Sequence, residues 1–207
     1  AYLIAMNKYM QRTIEPGAFW FTDIDPDTEE SNDALIAKIP ENEWPFMLKN
    51  TSLSLGKGVF HCATPEKMAE ILDLYRSNAD IRQQIKNTND AIISRMTDAE
   101  REEAGPVPPF IGEHCVDMNK GWVEYCYEGC VMEDGTLVHY GMTEEIYMKD
   151  HTGLAYVCPP IRYPWTDAAP LDKYLTAYMT ELIKRGYLKQ FFNVEFWASY
   201  EEGGPGN

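Results

Sequence analysis

Residues 44–61 read WPFMLKNTSLSLGKGVFH: a short apolar run, a lysine, a loop of small residues, and a second apolar run. This pattern predicts two strands joined by a flexible loop, with Lys49 at the end of the first strand. There its ammonium group can meet a phosphate, and the backbone N–H groups of a small-residue loop can fold over an anion. The stretch therefore indicates a nucleotide clasp. Its candidate binding residues in the loop are Ser54, Gly56, Lys57 and Gly58.

Two other interpretations of this stretch have to be weighed. A lysine followed by a Ser/Gly loop is also typical of an ordinary hairpin with a solvated lysine, and the stretch alone leaves that alternative open. A P-loop is excluded, because that motif needs a glycine where Thr51 stands and a Ser or Thr where Gly58 stands. The choice between clasp and hairpin depends on the features that follow along the chain.

The composition limits the class of protein. With 207 residues, 44% of them hydrophobic, the chain is long enough for one large or two small packed domains. Its 18 basic and 33 acidic residues give a net charge of −15, which repels nucleic acid and anionic membranes. No apolar run approaches the ~20 residues that span a bilayer. We therefore expect a soluble protein without nucleic-acid or membrane partners, and the composition leaves its oligomeric state open.

Cysteines and acidic residues give no sign of a structural metal. The five cysteines lack both the spacing of a disulfide framework and CxxC pairs, which suits a reducing compartment and predicts a cytoplasmic protein. The acidic segment 23–33 lacks the central glycine and terminal glutamate of an EF-hand loop. We expect it to be a solvated surface loop.

The rest of the chain mixes predicted helices and strands. In the last predicted strand Glu195 is the only acid, and a buried carboxylate on a central strand needs a partner, for which a cation is the obvious candidate. The helix at 78–103 is polar and is interpreted as a surface insertion. Helices are predicted over 3–14, from Thr64, over 78–103 and from Pro170 to Gly186; strands are predicted over 18–22, 109–116, 122–132, 136–148 and 188–199.

This order of features resembles that of the ATP-grasp superfamily. The shared features are the lysine and loop at 49–58, a helix, a hinge strand ending in Glu113-His114-Cys115-Val116, the strand Trp122-Val123-Glu124, a hairpin at Asp134-Gly135, a helix ending at Gly186, and Asn193-Val194-Glu195-Phe196.

The resemblance implies an α+β fold in which two antiparallel-sheet subdomains clasp a nucleotide. It also implies a fragment that lacks the N-terminal subdomain and the final metal-binding strand. The predicted parts are an opening segment (1–43), a small lid subdomain (44–107, with the helical insertion at 78–107) and a large subdomain (108–207).

The resemblance further implies which residues bind ATP. Lys49 matches the lysine that contacts the α- and β-phosphates, and Lys8 matches an earlier phosphate-binding lysine, with a surface lysine as the alternative. Glu113 matches the acid that accepts from the adenine amino group, and Glu124 belongs to the nucleotide-binding strand. The remaining adenine contacts are expected from the backbone of His114, Cys115 and Val116.

The implied function is that of an ATP-dependent carboxylate–amine ligase. Glu195 matches the first of the acids that hold Mg²⁺ against the β- and γ-phosphates. Arg162 is a candidate catalytic residue facing an acyl phosphate, together with Lys49, although an exposed structural arginine is an alternative. The expected cofactors are ATP and Mg²⁺, and the expected partners are a small carboxylate and an amine. The alternatives are a nucleotide-binding or structural module without turnover, or an unrelated α+β domain.

Overall fold

Two four-stranded antiparallel sheets organise the chain in the computed structural model, which describes residues 4–15, 19–53, 57–148, 153–162 and 169–199. The described residues up to Cys115 form one compact unit, and those from Val116 onward form a second. The predicted α+β organisation with two antiparallel sheets is confirmed. In the described ranges, no helix is both long and apolar enough to cross a bilayer.

The first sheet has the strand order β1-β4-β2-β3. Its strands are β1 (Phe21–Ile24), β2 (Phe46–Asn50), β3 (Val59–Cys62) and β4 (Phe110–His114). The helices of this unit are α1 (Lys8–Ile14), α2 (Asn32–Ile36), α3 (Pro65–Ser77), α4 (Ala79–Ile93) and α5 (Asp98–Ala104), with 3-10 turns at Ile4–Met6 and Glu41–Glu43. The predicted strand-loop-strand pattern of residues 44–61 is confirmed. Because β4 pairs with β1 and β2, it belongs to the first unit, whereas the predicted boundary at 107/108 assigned it to the second.

The main core of the first unit lies on one face of this sheet. Alternate residues of β2 point to opposite sides, so Phe46 and Leu48 are fully buried while Lys49 is half-buried. Lys49 therefore lies on the face opposite the core. The core also contains the predicted apolar stripe of α3, which is Met68, Ile71, Leu72 and Tyr75.

Local capping decides where the helices of this unit begin. The Thr64 side chain accepts a hydrogen bond from the Lys67 N–H, which confirms the predicted start of α3. Residues 78–103 form two helices instead of one, because Thr97 and Glu100 make a capping box that starts α5. A short helix, α2, also begins inside the acidic segment that was predicted to be a loop.

The second sheet has the strand order β7-β6-β5-β8. Its strands are β5 (Trp122–Val131), β6 (Leu137–Tyr147), β7 (Gly153–Val157) and β8 (Gln190–Ser199), accompanied by α6 (Ala169–Lys184) and a 3-10 turn at Met118–Lys120. The predicted hairpin is confirmed: the Met132 N–H donates to Thr136 O at 2.9 Å, and Gly135 has a φ of 84°. Strand β7 was not predicted, because four of its five residues are exposed and it has no buried alternation to recognise.

The predicted burial of Glu195 on a central strand is wrong. In the sheet as described, β8 has a strand neighbour only on the β5 side, so it is an edge strand, and Glu195 is exposed. The sequence of β8 does not alternate between apolar and polar residues, because the apolar Phe191 lies on the same outer side as Glu195 and is 76% exposed. Phe192 and Ala198, on the other side, are buried. The carboxylate therefore does not need a buried counterion.

Candidate functional site

Lys49 and Glu113 lie on the face of the first sheet that is opposite the core. Lys49 pairs with Ile111 and Glu113 pairs with Met47 in the register of β2 and β4, so the two charged residues are diagonal neighbours on one side. The Lys49 Nζ forms an ion pair with Glu113 Oε1. The side chain of Lys49 is 24% exposed and that of Glu113 is 8% exposed. The predicted phosphate-binding lysine thus has a buried carboxylate as its partner.

Arg12 of α1 is a second cation at Glu113, and the sequence did not single it out. Its Nε lies 3.1 Å from Glu113 Oε2, and its Nη1 forms an ion pair with Glu15. Burial alone would raise the pKa of Glu113, but the charges of Arg12 and Lys49 outweigh burial and hold that pKa below its ordinary value. Burial alone would lower the pKa of Arg12, but Glu113 and Glu15 raise it. The available signal was the i, i+4 spacing of Lys8 and Arg12, which puts both on one side of α1.

The first residues of the small-residue loop form hydrogen bonds with residues at the start of α1. The Lys8 N–H donates to Thr51 O at 2.9 Å, and its Nζ donates to Leu53 O. Asn7 Nδ2 donates to Ser52 Oγ at 3.1 Å. Lys8 therefore lies at the beginning of the loop. Among the other candidate loop residues, Lys57 is exposed and Gly58 is half-buried, while Ser54 and Gly56 lie outside the described residues.

Asn50, at the end of β2, closes the base of the loop. Its Oδ1 accepts from the N–H groups of Ser52 at 3.0 Å and Leu53 at 2.9 Å, and its Nδ2 donates to Pro109 O at 2.9 Å. Two loop amides are therefore already engaged. Gly58 has a φ of +69°, and a Cβ there would lie 2.7 Å from the Asn50 Cβ, so this position requires glycine.

His114 ends β4 and is fixed by three contacts. Its N–H donates to Trp20 O at 3.1 Å, its Nδ1 lies 2.9 Å from Glu43 Oε2, and its ring stacks on Phe19 with centroids 4.7 Å apart. The His114 N–H is thus engaged within the sheet. Cys115 and Val116 follow, and both are half-buried. The adenine contacts assigned to the backbone of His114, Cys115 and Val116 stay predictions.

Glu124 and Glu195 lie on one face of the second sheet. Glu124 pairs with Trp197 and Cys126 pairs with Glu195 in the register of β5 and β8, so the two acids are diagonal neighbours. The Tyr147 hydroxyl donates to Glu124 Oε2. Burial, together with the Glu124 carboxylate, raises the pKa of Tyr147. Glu124 is therefore fixed by a neighbouring strand, whereas Glu195 is exposed.

The oxygen donors on this face suit Mg²⁺. Among the described residues, no group of three or more His, Cys, Asp and Glu side chains is arranged to hold a metal ion. Mg²⁺ is usually bound by one or two carboxylates together with substrate phosphates and water, so an exposed Glu195 fits as a single protein ligand. Glu128 and Asn193 pair across β5 and β8 next to Glu195 on the same face. The donor set fits a metal that arrives with a nucleotide.

Arg162 is the partner of a buried acid. Glu144 is fully buried and accepts from the Arg162 Nε and from the backbone N–H groups of Arg162 and the residue before it, each amide at 2.7 Å. Glu144 pairs with the buried Tyr125, whereas Glu195 pairs with Cys126, so the two acids lie on opposite faces of the sheet. The Arg162 guanidinium therefore neutralises a buried charge on the face opposite Glu195.

No protein-family model and no curated protein sequence matches the chain. Solved structures do match it. An N5-carboxyaminoimidazole ribonucleotide synthetase in complex with ADP has a TM-score of 0.62 at 16% identity, covering 96% of this chain and 42% of that one. The biotin carboxylase domain of the 2-oxoglutarate carboxylase of Hydrogenobacter thermophilus, with MgADP and bicarbonate, has a TM-score of 0.61 at 14% identity, covering 96% and 37%. D-alanyl-alanine synthetase A of Vibrio cholerae has a TM-score of 0.55 at 10% identity, covering 96% and 53%.

These likenesses define the class of fold. They extend over both sheets, and the neighbours are ATP-grasp enzymes. The chain therefore has the ATP-grasp fold, and the prediction made from the order of sequence features is confirmed. It spans 37% to 53% of the length of these three proteins.

Proposed function

We propose that the chain is an ATP-dependent ligase of the ATP-grasp type, which activates a carboxylate as an acyl phosphate for attack by an amine or another nucleophile. The observation behind the proposal is the position of Lys49. It lies on the face of the first sheet opposite the core, at the base of a small-residue loop, with its side chain 24% exposed, in a fold whose solved examples include complexes with ADP. That combination distinguishes it from the solvated lysine of an ordinary hairpin.

Three cations of the first unit belong to the proposed nucleotide-binding site. Lys8 lies at the start of the loop, Lys49 is the second-last residue of the strand before it, and Arg12 lies on the same side of α1 as Lys8. Within the described part of the chain, these three cations outnumber the two carboxylates that pair with them, Glu113 and Glu15, in a chain whose net charge is −15. In the proposed complex Lys49 binds the α- and β-phosphates, and Glu113 accepts from the adenine amino group.

The second unit supplies the metal ligand. Glu195 would hold Mg²⁺ together with phosphate oxygens and water, and the ion when bound neutralises charge that develops on the transferred phosphoryl group. Glu124, on the same face of the second sheet as Glu195, would bind the nucleotide. This proposal does not use Arg162 as a catalytic residue, because its guanidinium pairs with Glu144.

The proposed reaction has two steps. A carboxylate oxygen attacks the γ-phosphorus, the bond from the γ-phosphorus to the bridging oxygen breaks, and ADP leaves. The amine nitrogen then attacks the acyl carbon, the bond from that carbon to the phosphate oxygen breaks, and inorganic phosphate leaves while the nitrogen releases a proton. Phosphoryl transfer needs little covalent work from the protein, so positioning and charge neutralisation by Lys49 are its main contributions.

Trapping of the acyl phosphate tests the proposal. The 207-residue chain is incubated with ATP, Mg²⁺, hydroxylamine and a panel of small carboxylic acids, and ADP and hydroxamate are quantified. The proposal predicts equal amounts of both for at least one acid, reduced about tenfold or more in Lys49→Ala and unchanged in Lys86→Ala, an exposed lysine of the same unit. ATP that is bound but never consumed would instead favour a nucleotide-binding module without turnover.

A further inference from the structure

The two oxygens of the Glu113 carboxylate are taken by two different cations. Oε1 pairs with the Lys49 ammonium, and Oε2 lies 3.1 Å from the Arg12 Nε. The residue is 6% exposed, so water contributes little to stabilising its charge. Lys49 and Arg12 come from different elements, β2 and α1, and can therefore separate from Glu113 independently.

Lys49 cannot neutralise Glu113 and a phosphate fully at the same time. When its ammonium moves to a phosphate, Glu113 Oε1 loses its counterion. A buried carboxylate without a cation is strongly disfavoured and takes up a proton. A protonated Glu113 is a poorer acceptor for the adenine amino group, so nucleotide binding through Lys49 would weaken binding through Glu113 unless another cation remained.

We propose that Arg12 is a positioning residue, which keeps the Glu113 carboxylate ionised and in place while Lys49 exchanges Glu113 for the phosphates of a bound nucleotide. This inference rests on the proposed function. Arg12 suits the role because its guanidinium is also fixed by Glu15, three residues along the same chain segment.

The helix that bears Arg12 also contacts the loop. Lys8 of α1 binds the Thr51 and Leu53 carbonyls at the start of the small-residue loop. The same short helix therefore fixes both the counterion of Glu113 and the stem of the loop that the proposal places over the phosphates. The Arg12 side chain is half-buried, with 31% of its surface exposed, and its Nε contacts Glu113.

Calorimetric titration of ATP with Mg²⁺ tests the inference. Arg12→Gln should weaken binding about tenfold or more, because Lys49 is then the remaining counterion of Glu113 among the residues that the structure describes, and Glu113 retains it. Arg12→Lys should recover most of the loss. Arg95→Gln, an exposed arginine of the same unit with the same change in charge, should bind ATP as the wild type does.

A double variant separates positioning from a merely structural effect. With Glu113→Gln added to Arg12→Gln, Lys49 has no buried charge to leave, and the amide oxygen still accepts a hydrogen bond. The double variant should therefore bind ATP more tightly than Arg12→Gln alone, by about threefold or more. Wild-type affinity in Arg12→Gln, or a double variant that binds no better than Arg12→Gln, would overturn the inference.

Titration of the Glu113 carboxylate without nucleotide tests the role of Arg12 separately from the proposed function. Carbon-13 NMR of the side chain should give a higher pKa for Glu113 in Arg12→Gln than in the wild type and in Arg95→Gln. An unchanged pKa overturns the role of Arg12 even if ATP binds. A wild-type chain that does not bind ATP refutes the proposed function, whatever the titration gives.

Discussion

Replacing Arg162 by alanine tests whether this arginine is a structural counterion or a catalytic group. Glu144 is fully buried, and within the described part of the chain its donors are the Arg162 guanidinium and two backbone N–H groups at 2.7 Å. The alanine variant leaves the carboxylate with the two amides alone. Its charge then lacks a cation in a buried site, which destabilises the folded second unit.

The expected loss of unfolding free energy follows from how far Arg162 and Glu144 are buried. Removing one partner of a fully buried ion pair costs about 3–5 kcal/mol. The Arg162 side chain is 51% exposed, so solvent screens the pair, and the remaining amides still stabilise the carboxylate. We expect Arg162→Ala to lower the free energy of unfolding by about 2 kcal/mol. In a Glu144→Gln background the same change should cost less than about 1 kcal/mol.

Urea unfolding followed by circular dichroism measures these free energies. Lys184→Ala is the control, because Lys184 is exposed on α6 and makes an i, i+3 ion pair; it should change stability by less than about 0.5 kcal/mol. Equal stabilities of Arg162→Ala and this control would refute the structural role. So would an equal cost of Arg162→Ala with and without Glu144. Full stability with loss of hydroxamate formation would support a catalytic Arg162.

Three further predictions concern the loop, the buried acid and the thiols. Gly58→Ala should lower the free energy of unfolding by about 1–2 kcal/mol in urea titrations, because its φ is +69° and a Cβ would lie 2.7 Å from that of Asn50. The lowered pKa of Glu113 stabilises the fold above the ordinary value of 4.5 and ceases to do so as pH falls through the folded-state pKa, so the stabilities of wild type and Glu113→Gln should converge below pH 4.5. Burial raises the pKa of the Cys126 thiol to about 11, so near pH 8 it should react with a disulfide reagent about 100-fold more slowly than the exposed Cys158, as measured by mass spectrometry.

Each of these predictions has a clear contrary result. An unchanged urea midpoint in Gly58→Ala would mean that the loop stem adapts to a side chain. A stability difference between wild type and Glu113→Gln that stays constant from neutral to acidic pH would show that the Glu113 charge does not contribute. Equal labelling of Cys126 and Cys158 would show that the β5 thiol is accessible.

Local patterns in the sequence were enough to predict the elements around Lys49. The two apolar runs and the small residues between them predicted two strands and a loop, and Thr64 with Pro65 predicted the start of α3. Each of these patterns extends over only a few residues, so it can be recognised without knowledge of the rest of the fold. The order of such elements was specific enough to predict the ATP-grasp fold.

Contacts between distant residues were not predictable in this way. Arg12 and Glu113 are separated by 101 positions, and only the pairing of β4 with β1 and β2 brings the acid beneath α1. The exposure of Glu195 depends on which face of β8 is covered, and the outer Phe191 made both faces look apolar. The partner of Arg162 depended on the β6 register, which sets Glu144 on the buried face.

Binding of ATP to the 207-residue chain, measured by calorimetry with and without Mg²⁺, tests whether Lys49 binds the phosphates of a nucleotide. We expect saturable binding that Lys49→Ala weakens about tenfold or more, a loss of about 1.4 kcal/mol, while Lys86→Ala binds as the wild type does. Absence of binding, or equal affinities of Lys49→Ala and Lys86→Ala, would contradict the assignment of the phosphates to the loop that follows Lys49.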